Sequence, residues 1–251
     1  MELELSGRKA LVTGSSRGIG RAIAEALQDE GCSVALNARN EAELNQTARE
    51  LGCAAAVAGD VSSAEEAQRI VGEAVAALGG LDILVCNVGS GRSVPPGNET
   101  YEEWQRVFAL NLWSTTNVIE AARSELEDAC GAVVCISSLC GLEVVPGAPV
   151  TYSAAKAALH AYVRGIARPL GKEGVRINAI AAGNILFKGS VWARKLEEDA
   201  EGVQLMLERE VALARLGTPQ DVAGLAVYLA SPRSGFATGA IWRLDGGQVH
   251  T

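Results

Sequence analysis

The stretch Ala10-Leu11-Val12-Thr13-Gly14-Ser15-Ser16-Arg17-Gly18-Ile19-Gly20 decides the fold of this chain. An apolar run enters a glycine-spaced turn. An amphipathic stretch, 17–29, leaves it and stops before Gly31. A glycine triplet alone marks many turns, but at a strand–turn–helix junction it predicts a nucleotide cradle. Gly14 serves the tight turn, Gly18 lets backbone approach a pyrophosphate, and Gly20 lets the helix pack close to the sheet. Ser16, Arg17 and Ile19 complete the set facing the nucleotide. Uncapped N–H groups and the helix dipole favour an anion at this point.

Working outward, the same alternation recurs to the end. Apolar runs at 10–12, 33–38, 54–58, 81–86, 132–137, 175–181 and 240–244 read as strands. Helices fit 17–29, 41–51, 63–78, 101–108, 112–127, 152–171 and 219–229, with Ser62 and Thr218 as N-caps and Pro219 in a first turn. Nearly continuous apolar strands, each followed by a helix, predict a parallel sheet covered on both faces. Right-handed crossovers then give a doubly wound (Rossmann) α/β sheet of about seven strands with helices on both faces. No long linker interrupts it, so 1–251 is expected to form a single domain. One segment breaks the rhythm: 184–210 carries Phe187, Trp192, Leu205 and Met206 among many charges. It follows the sixth strand on the ligand side, and is expected to form a lid over a substrate.

Composition narrows the class. With 251 residues, 48% of them hydrophobic, the chain can bury one sizeable core. A net charge of −8 argues against a nucleic-acid partner, which needs a basic face. The charged start, Met1 to Arg8, has no apolar core of a secretory signal, and no apolar run is long enough to cross a bilayer. A cytoplasmic protein without a membrane partner is expected. The six cysteines form no C-x-x-C pair, and only His160 and His250 could join them. Reduced core thiols are expected, with neither zinc nor a disulfide framework.

The end of the second strand selects the nucleotide. An acid there would grip a ribose 2′-hydroxyl, whereas arginine accommodates a 2′-phosphate. This chain reads Asn37-Ala38-Arg39-Asn40, with no acid. Arg39 and Arg17 together favour NADP(H) over NAD. Further on, Tyr152 and Lys156 stand at i and i+4, on one face of a long helix. A neighbouring ammonium should lower the phenol's pKa and let it exchange a proton with a substrate oxygen.

Together these segments resemble the short-chain dehydrogenase/reductase family over essentially the whole chain. The motifs are Thr13-Gly14…Gly18…Gly20, Asp60-Val61, Cys86-Asn87-Val88-Gly89, Asn111, Ile136-Ser137-Ser138, Tyr152…Lys156 and Asp245-Gly246-Gly247. The resemblance implies that Tyr152 is the acid/base and that Lys156 lowers its pKa and holds the nicotinamide ribose. It implies that Ser138 bonds the reacting oxygen and that Asn111 anchors a water linking Lys156 to solvent. Asp60 would bond the adenine amino group with Val61 beside it. Asn87 and Gly89 would line the adenosine ribose and stabilise the sheet. Gly183 would lie beside the nicotinamide, and Ile185 would offer its N–H to the carboxamide. Asp82 is taken as structural.

Several positions depart from the family pattern. Cys86 and Val88 replace Asn and Ala, Ala182-Gly183 replaces Pro-Gly, and Phe187 replaces a threonine that clamps the cofactor. The interval from Ser138 to Tyr152 is one residue longer than usual, with Pro146 and Pro149 in the loop. The resemblance favours NADP(H)-dependent reduction of a small-molecule carbonyl of the 3-oxoacyl-thioester type. Ser90, Arg92, Val94, Val144, Val145, Phe187 and Trp192 would line the pocket. Alternatives are an NAD(P)-dependent dehydrogenase of a small secondary alcohol, or a non-catalytic NADP(H)-sensing protein. By the same analogy, helices 112–127 and 152–171 would build a homo-oligomer, a tetramer or dimer.

Overall fold

In the computed structural model, which describes residues 2–248, the glycine turn sits at the centre of a seven-stranded parallel sheet. The strands are β1 (Lys9–Thr13), β2 (Ser33–Ala38), β3 (Ala55–Ala58), β4 (Ile83–Cys86), β5 (Ala132–Ser138), β6 (Arg176–Ala182) and β7 (Ile241–Leu244). Their spatial order is β3-β2-β1-β4-β5-β6-β7, so the chain reverses direction between β1 and β4. In an open α/β sheet the crevice at that reversal, beyond the strands' carboxyl ends, is where ligands bind. His250 lies outside the described residues.

Strand periodicity builds both cores. Ala10 and Val12 point to one face, where they meet Ile23, Leu27, Val222 and Val227. Leu11 points to the other, against Ile70, Ile119, Leu159 and Val163. The helices divide accordingly. The first face carries α1 (Gly18–Asp29), α2 (Glu41–Leu51) and α9 (Pro219–Ala230), and the second carries α3 (Ala64–Leu78), α5 (Ser114–Asp128) and α6 (Val150–Lys172). Burial on both faces explains why these strands are apolar without alternation. Asp82 is structural as expected: it accepts Arg8 Nη1 at 2.7 Å and the Lys9 N–H at 2.9 Å.

Four local expectations change. Ser63, not Ser62, caps α3, because Asp60 Oδ1 already accepts the Ser62 N–H and hydroxyl at 3.0 and 2.7 Å. The break expected before residue 112 is absent. Helix α4 (Tyr101–Phe108) runs into α5 through a π turn, Ala109–Trp113. Asn111 Nδ2 donates to the Val107 carbonyl four residues back and takes up part of the acceptor capacity there. Strand β5 extends one residue further and ends on Ser138. Segment 184–210 holds two short helices, α7 (Val191–Glu198) and α8 (Ala200–Glu210), capped by Ser190 and Asp199. Trp192, Leu196 and Met206 pack on Val203 and Leu207 there, apart from both main cores. All six cysteines are free, and Cys130 is exposed rather than in the core.

Candidate active site

Helix α6 starts after Pro149 and anchors its first turn on the loop before α4. Ser93 Oγ lies 2.6 Å from Thr151 Oγ1 and donates to Glu103 Oε1 at 2.7 Å. The next residue is Tyr152, and one turn later comes Lys156, whose Nζ is 5.9 Å from the Tyr152 ring centre. The helical spacing thus puts phenol and ammonium on one face, as the sequence predicts. Lys156 Nζ donates to the Ile136 carbonyl at 3.1 Å, which ties the ammonium to the end of β5. Ser138, the last residue of β5, hydrogen-bonds the Tyr152 hydroxyl and accepts the Cys140 N–H at 3.2 Å.

The electrostatics differ from the sequence expectation. Burial pushes the Tyr152 phenol up to about 12, and only the Ser138 hydrogen bond pulls it back. Burial also pulls Lys156 down to about 8. Desolvation therefore dominates both groups in the chain alone. It leaves Tyr152 protonated near neutral pH, and Lys156 as a cation that a nearby anion would stabilise.

Glycines admit these groups. A Cβ on Gly89 would lie 2.9 Å from Asn111 Oδ1 and 3.1 Å from Lys156 Nζ, and one on Gly91 would touch the Tyr152 ring. Gly89, expected at the adenosine ribose, stands beside Asn111 and Lys156. Asn111 is fully buried, and its amide is consumed: Oδ1 accepts the Ser90 N–H at 2.9 Å, and Nδ2 donates to Ser90 and Val107 carbonyls. Its side chain thus holds the 89–91 strip against Lys156.

The glycine turn presents donors suited to a dinucleotide phosphate. Helix α1 begins without a side-chain cap, which leaves its first N–H groups for an anion. Gly14 and Gly18 have φ of +63° and +58°. A Cβ on Gly20 would strike the Gly14 carbonyl at 2.4 Å. Asn87 Nδ2 donates to the carbonyls of Thr13 and Gly14 and fixes the turn to β4. Beneath the turn, buried Asn37 keeps Oδ1 without a hydrogen-bond partner among the described residues. At the rim, exposed Arg39 lies 3.5 Å from Asp60 Oδ2. Burial raises the Asp60 pKa, but Ser62 and Arg39 outweigh that and lower it, so the carboxylate stays charged. Val61 is buried in the second core, with its carbonyl bonded to Asn117.

Two features of the cradle escaped the sequence reading. Ser16 Oγ donates to Glu43 Oε2 at 3.3 Å, which places an acid from α2 beside the turn. More telling, a Cβ on Gly18 would lie 2.6 Å from Phe187 Cε2. The Phe187 ring therefore covers the open side of Gly18, where backbone was expected to meet a pyrophosphate. Gly183 packs against Asp245 and Leu139, and its N–H donates to Leu244. Ile185 pairs with Gly217 through the Leu186 N–H and the Asn184 carbonyl, so its own N–H stands outside that bridge. Of the expected pocket residues, Val144 is almost fully exposed, while Trp192 carries Lys195 Nζ 4.5 Å from its ring centre.

A family model described as enoyl-(acyl carrier protein) reductase matches residues 14–249. The chain belongs to the short-chain dehydrogenase/reductase family. It is 36% identical to nodulation protein G of Azospirillum brasilense, over 97% of this chain and 98% of that one. It is 33% identical to a 3-oxoacyl-(acyl-carrier-protein) reductase of Chlamydia muridarum, over 98% of both chains. The crystal structure of L-sorbose reductase from Gluconobacter frateurii, complexed with NADPH and L-sorbose, superposes with a TM-score of 0.93 at 30% identity, covering 100% of both chains. As a member of this family, the chain is an oxidoreductase of alcohol and ketone substrates. Among the described residues, no helix is long and apolar enough to cross a membrane.

Proposed function

We propose that this chain is an NADP(H)-dependent ketoreductase, most similar in chemistry to enzymes that reduce 3-oxoacyl thioesters. The observation that carries the reading is the convergence of Ser138, Tyr152 and Lys156 at the carboxyl end of β5, beside an uncapped glycine turn. Arg39 and Arg17 favour the 2′-phosphate form of the dinucleotide, as does the NADPH in the sorbose reductase complex. Glu43 beside Ser16 places a negative charge that opposes it.

The bound dinucleotide would supply a hydride to the substrate's carbonyl carbon, or take one from the alcohol. The residues of this chain handle the oxygen. Ser138 Oγ donates a hydrogen bond to the carbonyl and polarises it. Tyr152 gives its proton to that oxygen as the C–H bond forms, so the product is a neutral alcohol. Lys156, held by the Ile136 carbonyl, stabilises the phenolate left behind. Asn111 fixes the strip beside Lys156, and a water held near it would return the proton. Segment 184–210 is proposed to close over the substrate, and α5 and α6 to form the subunit interface of a dimer or tetramer.

The test is a panel of 3-oxoacyl thioesters, ketoses and other ketones, followed by loss of NADPH absorbance. Activity on at least one carbonyl class, lost in Tyr152→Phe with the fold intact, is expected. Tight NADPH binding without turnover of any ketone would instead favour a nucleotide sensor. Full activity in the Phe variant would refute the assignment of the acid.

A further inference from the structure

His160 lies one turn beyond Lys156 and two beyond Tyr152 on the same face of α6. It is 2% exposed, and both ring nitrogens are engaged. Nε2 is 2.7 Å from Ser137 Oγ, and Nδ1 is 3.1 Å from the Gly141 carbonyl. A carbonyl only accepts, so Nδ1 carries the proton and donates to Gly141. Nε2 then accepts from the Ser137 hydroxyl. The two partners flank Ser138, one just before it on β5 and the other at the end of the short 3-10 turn, Leu139–Gly141. That turn is pressed onto α6: a Cβ on Gly141 would lie 2.6 Å from the Lys156 backbone and 2.8 Å from His160 Cε1.

We infer that His160 is a positioning residue for the catalytic triplet: one neutral imidazole clamps both sides of Ser138 onto the helix that carries Tyr152 and Lys156. The inference rests on the ketoreductase reading for its kinetic consequences, although the clamp itself does not. Helix α6 supplies phenol and ammonium, but Ser138 comes from a strand and an adjoining turn. The Lys156–Ile136 bond ties β5 to the helix two residues before Ser138, which leaves Ser138 and the turn after it freedom to shift. The imidazole removes that freedom by bonding residues on both sides of Ser138. Burial keeps the ring neutral, with the Gly141 bond opposing it and the Lys156 and Arg164 cations adding to it. The ring therefore holds a single tautomer throughout the pH range in which Tyr152 and Lys156 work.

The experiment combines kinetics with nitrogen NMR of the whole protein. The chain has two histidines, so the His160 ring is assigned by comparison with His160→Asn. A neutral ring protonated on Nδ1 is expected from pH 8 down to about pH 5. A ring protonated on Nε2, or one titrating like a free imidazole, would overturn the clamp whether or not any substrate is found. Kinetically, His160→Phe removes both bonds, and a misplacement of about 1 Å costs roughly 100-fold. A fall in kcat of about 10- to 100-fold is expected, with NADPH affinity unchanged. The rising limb of the alcohol-oxidation pH profile should also move upward, because Tyr152 loses its help from Ser138. Ser137→Ala removes one arm with a smaller change of volume and a smaller loss of hydrogen bonds than His160→Phe, and should give the same two changes, smaller. The double variant should be no worse than His160→Phe. If Ser137→Ala leaves kcat and pH profile as in wild type, the positioning role is wrong. If wild type reduces no carbonyl while the Nδ1–H tautomer is seen, the ketoreductase reading fails and the clamp stands.

Discussion

The ring of Phe187 over Gly18 makes a quantitative prediction about nucleotide binding. A fully buried phenylalanine removes about 150–250 Å² from water, and a half-buried one about half of that. At about 25 cal/mol per Å² the packed ring contributes at most about 3 kcal/mol, and less once the compactness of the unfolded chain is counted. Phe187 packs against the first core cluster and over the first turn of α1. A pyrophosphate at the uncapped α1 N-terminus needs the space the ring covers. The energy of seating the ring is then subtracted from nucleotide affinity. Phe187→Ala should therefore lower thermal stability by about 1–2 kcal/mol while tightening NADPH binding by about 5- to 30-fold. Isothermal titration with NADPH, beside melting curves, reads both effects. Gly18→Ala is the companion variant. Its Cβ would meet the ring at 2.6 Å on a backbone with φ of +58°, so it should unfold more easily, and Phe187→Ala should relieve part of that loss. If Phe187→Ala loses stability but binds NADPH no more tightly, the ring does not compete with the phosphate, and the argument falls.

Other variants separate stability from function. Lys156 sits at about 8 against an ordinary 10.5, so the folded chain holds this proton less well than the unfolded one. That cost is complete below pH 8 and disappears as pH rises towards 10.5. Lys156→Met should abolish turnover yet melt no lower than wild type at pH 7, with the advantage fading by pH 10; a loss of several degrees at pH 7 would contradict this. Arg39 pairs with Asp60 at the exposed rim, where ion pairs contribute little to stability. Arg39→Ala should leave melting unchanged, weaken NADPH binding roughly 10- to 100-fold and spare NADH, as paired titrations would show. Arg176 Nη1 and Nη2 donate to the Leu229, Ala230 and Ser231 carbonyls and to Ser234, and so close the end of α9. Arg176→Ala should cost about 2–4 kcal/mol in urea unfolding with kcat retained.

What the sequence revealed, and what it hid, follows from the range of the interactions involved. Strand and helix positions came from the local sequence pattern, and the doubly wound parallel class from the alternation of strands and helices, because burial on both faces leaves a continuous apolar signal in each strand; the strand order came only with the coordinates. Tyr152 and Lys156 were legible for the same reason: a fixed spacing on one helix fixes their relative position. Ser63 over Ser62 was not legible, because the choice depends on Asp60 capturing the neighbouring hydroxyl. The π turn at Asn111 depends on an amide that bonds both Val107 and Ser90, 21 residues away. The direction of the Tyr152 shift differed from expectation because spacing reports the neighbour but not the depth at which both groups lie. Phe187 stands out in the sequence as a departure from the family threonine, yet only coordinates place its ring on Gly18. His160 carried no signal of its own, since one histidine on an apolar helix face reads as a core residue. Its meaning comes from Ser137 and Gly141, brought to it by β5 and the turn that follows. Residues of this kind, whose partners flank a catalytic group rather than touch the substrate, become visible only when the strand carrying that group is seen docked on the helix.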